Sequence, residues 1–308
     1  MNYTYYTADV FTDTVFQGAQ IAVFPEFGSS SDKPSDELML LIAGELNLSE
    51  TVFITATDQA QEFRLRIFSP KGEVDFAGHP MLAAAKALVA SKRIDLIENG
   101  ASLVFQQNTG DVAVNVRQYD NKPLFVQFSL KANAIIDHYT PTEAELARLL
   151  NIDERDIDTR TFHTRLAAID RPYLIVPLLS QQAVRKARFN LDAWSQSSAP
   201  TMAAQEIFLF GSKTDTQDTD FHGRLVGPSI GTHEDPPIGS AMPCFAAYLG
   251  DHEHIREGTY TFTIDRGTPE TRRSVLHIEI DHRTDKPSTL RVGGEVVLVS
   301  ENILTLET

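Results

Sequence analysis

Thiols are nearly absent from this chain, which carries one cysteine, Cys244. That excludes an intramolecular disulfide framework and fits a reducing compartment. Basic charge is also scarce. Lys and Arg total 27 against 42 Asp and Glu, a formal net charge of −15 at pH 7. Such a surface repels phosphate backbones, and there is no basic run or arginine-rich helix, so no nucleic-acid partner is expected. No stretch approaches eighteen consecutive apolar residues, which argues against a membrane span. The N-terminal residues have no charged leader followed by an apolar run, so no signal peptide is expected and the cytoplasm is the expected location. The sequence contains no G-x-G-x-x-G, no G-x-x-x-x-G-K-[ST] and no G-x-S-x-G, so nucleotide and serine-hydrolase chemistry lack support. His233-Glu234-Asp235 and His252-Glu253-His254 supply metal-ligand types without the helical i, i+4 histidine spacing of zinc hydrolases, so no metal site is expected.

What is present is an internal repeat. Around Arg66, an Arg-led apolar segment runs to Pro70, and after an acidic stretch Gly78 and His79 open an apolar helix. Around Arg224, a similar segment runs to Pro228, and Gly239 and Ser240 open a second apolar helix after an acidic pair. Past each glycine the match is in register, with Met81 against Met242 and Leu88 against Leu249. The chain therefore reads as two copies of one strand–loop–helix unit. Its 308 residues suffice for two domains of ordinary size.

In chain order, Tyr3 to Phe11 and Ile21 to Phe24 read as strands, 28–31 as a loop, and Ser35 to Leu46 as a helix with Asp36 and Glu37 in its first turn. Glu50 falls where a loop becomes a β-branched strand. Phe63 to Phe68 alternates as a half-buried strand does. Gly78-His79-Pro80 begins an alanine-rich helix suited to close packing on several sides. Strands are expected at 102–107, 111–117 and 124–129. A capping box at Thr140 to Glu143, with Pro141 at the first helical position, starts a helix ending at Leu150. Strands near 164–168 and 173–176, a helix near 180–187 and a strand at 206–210 lead to the second copy. After the 239–249 helix come strands at 260–264, 275–280 and 290–299.

The two glycine-led helix starts are candidate anion sites, because a helix N-terminus offers unsatisfied N–H groups and glycine allows close approach. Either glycine alone reads as a tight strand-to-helix turn; the repetition favours a shared cleft for a small carboxylate. Glu50, if buried with a raised pKa, suits a general acid and base; otherwise it is an exposed edge glutamate. His79 is either a substrate or proton contact or a helix-end hydrogen-bonder. Asp235, beside Glu234, suits contact with an amine or hydroxyl, or is a helix cap.

These residues resemble the phenazine-biosynthesis isomerase (PhzF-like) family within the diaminopimelate-epimerase fold. The resemblance spans nearly the whole chain. It rests on Asp9-Val10-Phe11 with Ala22-Val23-Phe24, on Leu48 to Phe53, and on Arg66 to Pro70 with Glu73 and Phe76 to Pro80. Glu234-Asp235-Pro236 with Gly239-Ser240-Ala241 completes it. It implies an α+β fold of two pseudo-symmetric halves, each a curled, mostly antiparallel sheet around a central helix. The halves would be 1–122, joined by the C-terminal strand 295–308, and 123–294. The family's better-known member moves a proton along an allylic system of a dihydro-hydroxyanthranilate without cofactor or metal. The resemblance assigns the acid/base role to Glu50, and substrate contacts to Gly78, His79, Asp235, Gly239 and Ser240. A homodimer is the implied assembly.

Two-thiol racemases of this fold carry a cysteine before each glycine turn. Ala77 and Ile238 occupy those positions here, and Cys244 lies a turn inside its helix as a small core residue, so that chemistry is excluded for one chain. The sequence departs from the family pattern at Ala19, where asparagine is usual, at Pro237-Ile238, where Ala-Thr is usual, and at Asp75. A lost donor at such a turn alters substrate choice. The expected activity is a cofactor-independent proton shift on a small cyclic or unsaturated carboxylate. The competing readings are an inactive carboxylate-binding or scaffold protein on the same fold and a metal-dependent hydrolase using His233.

Overall fold

The computed structural model describes residues 2–306 other than 28–33, 121, 133, 170, 203, 213, 216–217, 232–235, 253–255 and 284–287. The expected 28–31 loop, Asp235 and its neighbours His233 and Glu234, and Glu253-His254 therefore lie outside the described residues. The chain divides into two compact units. The first comprises 1–130, 272–274 and 292–308; the second comprises 131–271 and 275–291.

The first unit contains β1 (Asn2–Val10), β2 (Ala19–Phe24), α1 (Asp36–Leu46), β3 (Glu50–Ala56), β4 (Glu62–Ser69) and the two-residue β5 (Gly72–Glu73). It continues with α2 (His79–Ala90), β6 (Gly100–Gln107), β7 (Gly110–Gln118) and β8 (Leu124–Ala132). The strand order is β1-β2-β3-β4-β6-β7-β8, followed by the C-terminal strand, which also pairs antiparallel with β1 through Tyr3↔Leu304 to Val10↔Val296. The sheet thus closes on itself through the pairing of the C-terminal strand with both β8 and β1. β2–β3 and β4–β6 are parallel pairs, while β1–β2, β3–β4, β6–β7 and β7–β8 are antiparallel.

Helix α2 packs inside this sheet. Met81, Leu82, Ala83, Ala84, Ala85, Ala87 and Leu88 are all fully buried, as a helix apolar on every side requires. Alanine keeps the helix thin enough for β1, β2 and β3 to approach it together. A second layer of Phe24, Phe27, Phe53 and Phe68 with Met39 and Ile42 seats α1 on the same strands.

The second unit has β9 (Ile135–Asp137), α3 (Glu143–Leu150), β10 (Arg165–Ala168), β11 (Pro172–Leu178), α4 (Gln181–Lys186) and α5 (Leu191–Gln196). β12 (Glu206–Gly211), β13 (Phe221–Val226), α6 (Met242–Gly250), β14 (Gly258–Arg266) and β15 (Ser274–His282) follow, and β16 (Ser288–Thr305) starts here before joining the first unit. The order β9-β10-β11-β12-β13-β14-β15 repeats the first unit's pairing pattern. β10–β11 is antiparallel like β1–β2, β11–β12 parallel like β2–β3, β12–β13 antiparallel like β3–β4, and β13–β14 parallel like β4–β6. Helix α6 is the buried counterpart of α2, with Met242, Phe245, Ala246 and Tyr248 inaccessible.

Local chemistry differs from expectation in three places. The capping box of α3 lies two residues later: Thr142 caps the helix and Glu145, not Glu143, closes the box, leaving Pro141 outside. The 239–249 helix starts as a 3-10 turn at Gly239–Ala241 and becomes α-helical only from Met242. Helix α5 and strand β9 were not anticipated. α5 is held by the Asn190 cap and by Trp194 packing into the second unit's core, a tertiary cause without a local signature.

Among the described residues no helix is long and apolar enough to cross a membrane.

Candidate active site

Glu50 is the first residue of β3 and His79 the first of α2. The repeat's strand–loop–helix path brings them together: Glu50 Oε2 lies 2.8 Å from His79 Nε2. The His79 side chain is 5% exposed and that of Glu50 18%, so the pair is sheltered yet open on the carboxylate side. Burial pushes the Glu50 carboxyl up. Charge attraction and a hydrogen bond from His79, with a further hydrogen bond from Ser49, outweigh it and hold Glu50 below its ordinary value. The sequence left open a buried glutamate with a raised pKa or an exposed edge glutamate; the carboxylate is largely buried, and the histidine 29 positions away lowers its pKa. When His79 is neutral, an Nε2–H donated to Glu50 leaves the lone pair on Nδ1. That Nδ1 is buried and has no hydrogen-bond partner among the described residues.

The turn before α2 is fixed by contacts that sequence reading missed. Gln107, at the end of β6 and 3% exposed, accepts from the Ala77 N–H at 3.0 Å and donates to the Ala77 carbonyl at 3.3 Å. This side-chain amide clamps the backbone of one residue, Ala77, just ahead of Gly78. At Gly78 φ is −76°, so the demand for glycine is steric: a Cβ there would stand 2.5 Å from Cζ of Phe128. Only a hydrogen fits under that ring. A buried glutamine at a strand end is the one local hint of the clamp; nothing local signals the ring.

Arg66 holds the outer face. It grips Glu73 through two parallel contacts, including Nη2–Oε2 at 2.7 Å, and reaches Asp36 at the start of α1 at 2.9 Å. Asn108 bridges Glu73 and Asp75, 3.2 Å from each. Arg224, the repeat mate of Arg66, donates to the Ala187 carbonyl at 2.9 Å, just past α4. At the Gly18-Ala19 departure, Gly18 has φ +70°, and a Cβ there would lie 2.2 Å from the Val10 carbonyl oxygen. Glycine is obligatory there and Ala19 is core, 2% exposed.

In the second unit Gly239 is buried and Ser240 exposed, at the start of the turn leading into α6. Ile238 is 1% exposed, so the family's turn hydroxyl is replaced here by a core side chain. Cys244 is buried, as a small core residue should be, with its Sγ 3.8 Å from the Arg171 carbonyl. No group of three or more His, Cys, Asp or Glu suited to a metal is found among the described residues.

A family model described as phenazine biosynthesis-like protein matches residues 8–302. The chain belongs to that phenazine biosynthesis-like family. Its members include an uncharacterised isomerase of Mesorhizobium japonicum, 29% identical over 98% of both chains. The trans-2,3-dihydro-3-hydroxyanthranilate isomerase of Pseudomonas aeruginosa is 27% identical, over 96% of this chain and 97% of that one. A Bacillus anthracis phenazine biosynthesis protein of the PhzF family superposes with TM-score 0.83 at 17% identity, over 99% and 100% of the two chains. A probable proline racemase of Agrobacterium radiobacter superposes at TM-score 0.64 with 9% identity, over 99% of this chain and 93% of that chain, which places the family within the diaminopimelate-epimerase fold.

Proposed function

We propose that this chain is an isomerase that shifts a proton on a small cyclic or unsaturated carboxylate, with Glu50 as acid and base. The observation that carries the reading is the Glu50–His79 pair: a sheltered carboxylate held ionised by an oriented imidazole. An ionised Glu50 begins the cycle as a base. It takes a proton from carbon, the electron pair moves through the adjoining double bond, and the resulting acid returns the proton at the far end. One proton is removed and one returned, the proton on the Glu50 carboxyl exchanging with solvent in between, so atoms balance without a redox partner. His79, bonded to Glu50, orients the carboxylate toward the substrate. The family resemblance assigns further substrate contacts to Gly78 and, in the second unit, to Gly239, Ser240 and Asp235. The relative from Pseudomonas aeruginosa suggests trans-2,3-dihydro-3-hydroxyanthranilate as the first substrate to offer. The family resemblance supports a homodimer, which sedimentation tests.

Steady-state turnover of that compound by wild type and Glu50→Gln tests the reading. General acid–base catalysis is worth roughly 10²–10⁴-fold, and a loss of that size is expected. Full turnover by Glu50→Gln would sink it. Ile238 favours a second reading, a carboxylate-binding protein without turnover, because its buried side chain stands where the family's turn carries a hydroxyl. Ligand-induced thermal stabilisation with no product from any offered carboxylate would select it.

A further inference from the structure

The second unit carries a cavity of about 520 Å³ whose lining the proposed chemistry does not use. Three chain segments form it. His138 follows β9; Arg160, Thr161 and His163 approach β10, which Arg165 opens; Asp251 and His252 end α6. The cavity adjoins the C-terminal end of α6, roughly 16 Å along the helix axis from Ser240 at 1.5 Å per residue. His138, Arg160 and His163 are exposed and Arg165 is half-buried, so it opens to solvent.

Its charge runs against that of the chain. The net charge is −15, yet two guanidiniums and three imidazoles meet here against one lining carboxylate. That carboxylate, Asp251, faces His138 Nε2 at 3.8 Å. Neither Arg160 nor Arg165 pairs with a carboxylate among the described residues. Arg165 Nη1 donates to the Thr164 carbonyl at 2.9 Å, which engages one of the guanidinium's five N–H groups. The walls are fixed from behind. Asp158 Oδ1 accepts from the N–H groups of Arg160 and Thr161 at 2.9 and 3.1 Å. The Tyr248 hydroxyl donates to the His163 carbonyl at 2.8 Å. His252 Nδ1 lies 2.8 Å from the Tyr248 carbonyl, which can only accept, so that nitrogen carries a proton. The His252 ring stands edge-on to Phe162 and Tyr248, and its Nε2 is buried, so it supplies a wall and not a donor. Carbonyls at a helix C-terminus repel anions, but those of Ala247 and Tyr248 are covered by the Asp251 N–H and the His252 ring.

We propose that this cavity binds a small, multiply charged oxyanion, a phosphate or polycarboxylate group, gripped by Arg160 and Arg165. A planar guanidinium matches two oxygens of such a group at once, and its charge does not titrate. The Thr161 hydroxyl and one N–H from each of His138 and His163 complete the shell, since a neutral imidazole still donates once. The site does not depend on the isomerase reading, because none of its residues is among the proposed substrate contacts.

Calorimetric titration of the full chain at low ionic strength tests it, with inorganic phosphate in one arm, citrate in a second and sodium chloride of equal ionic strength in a third. Saturable binding of one ion per chain is expected for phosphate or citrate, and the tighter of the two names the source as a phosphorylated compound or a polycarboxylate. Arg160→Gln and Arg165→Gln should each weaken that binding roughly tenfold, the worth of one hydrogen bond to a charged group. Arg160→Lys, which keeps the charge, should recover part of it, and Glu50→Gln should bind as wild type does. In ¹⁵N-histidine protein the bound ion should move the His138 and His163 ring resonances and leave that of buried His222 in place; this readout needs no variant to fold. No saturable heat with either probe, equal heat from sodium chloride, or unmoved His138 and His163 resonances would overturn the proposal. Binding that Glu50→Gln alters and Arg165→Gln does not would place the ion at the Glu50 carboxylate and overturn it as well.

Discussion

His79 Nε2 lies 2.8 Å from Glu50 Oε2, and this contact, with a hydrogen bond from Ser49, outweighs the upward push of burial and holds the carboxyl below its ordinary value. Removing the imidazole leaves burial, the largest influence, opposed only by Ser49. His79→Leu should therefore move the Glu50 pKa upward, and the acid limb of the kcat/KM profile should shift to higher pH. An unmoved limb would show that another group sets it.

The same depressed pKa has a consequence for folding. A carboxyl whose folded value lies below its unfolded one contributes stability above the unfolded value, near 4.5, and that contribution fades as pH falls through the folded value. Urea midpoints of wild type should fall more steeply on acidification below that point than those of Glu50→Gln. Parallel curves would contradict the assignment.

Gly78→Ala would put a methyl group where Phe128 stands, 2.5 Å from the built Cβ position. Overpacking of this kind costs about 1–3 kcal/mol. Chemical denaturation should show that loss, and Phe128→Leu in the same chain should recover part of it. Loss of activity without loss of stability would mean that the glycine serves ligand approach more than packing.

Away from the proposed site, His222 and Asp265 form a buried pair in the second unit, 2.8 Å apart with side chains 3% and 1% exposed. Breaking a buried pair from one side costs about 3–5 kcal/mol. His222→Leu should destabilise the chain by that order in urea melts while leaving the Glu50 chemistry in place at low denaturant. A change below about 1 kcal/mol, the scale of an exposed pair, would show that the contact is not sustained.

Much of this architecture was legible before any coordinates. Arg66 and Arg224, the paired glycines and the apolar helices behind them declared a repeat, because each copy must solve the same packing problem. The strands at Phe63–Phe68 and 206–210 followed from alternation and β-branching. Glu50 and His79 were both named from the chain, and their pairing required the fold. The Gln107 clamp, the Phe128 ring over Gly78 and the cavity that joins Arg160 to Asp251 stayed hidden for one reason. Each joins residues on different strands or far apart in the chain, and periodicity carries no information about which strands become neighbours. The lowered pKa of Glu50 stayed hidden likewise: the sequence offered burial, which raises it, and could not show the partner that lowers it. The capping box misread at Thr140 was a local ambiguity: two threonines two residues apart both satisfied the pattern, and only geometry chose Thr142 with Glu145.

The most direct test is deuterium entry into trans-2,3-dihydro-3-hydroxyanthranilate, followed by NMR in heavy water with wild type, Glu50→Gln and no protein. The proposed mechanism predicts deuterium at a ring carbon of product or recovered substrate with wild type, and none above background with Glu50→Gln. Product formed with equal deuterium by both proteins would contradict the role of Glu50. No exchange with wild type, although the compound binds, would contradict proton transfer on this substrate.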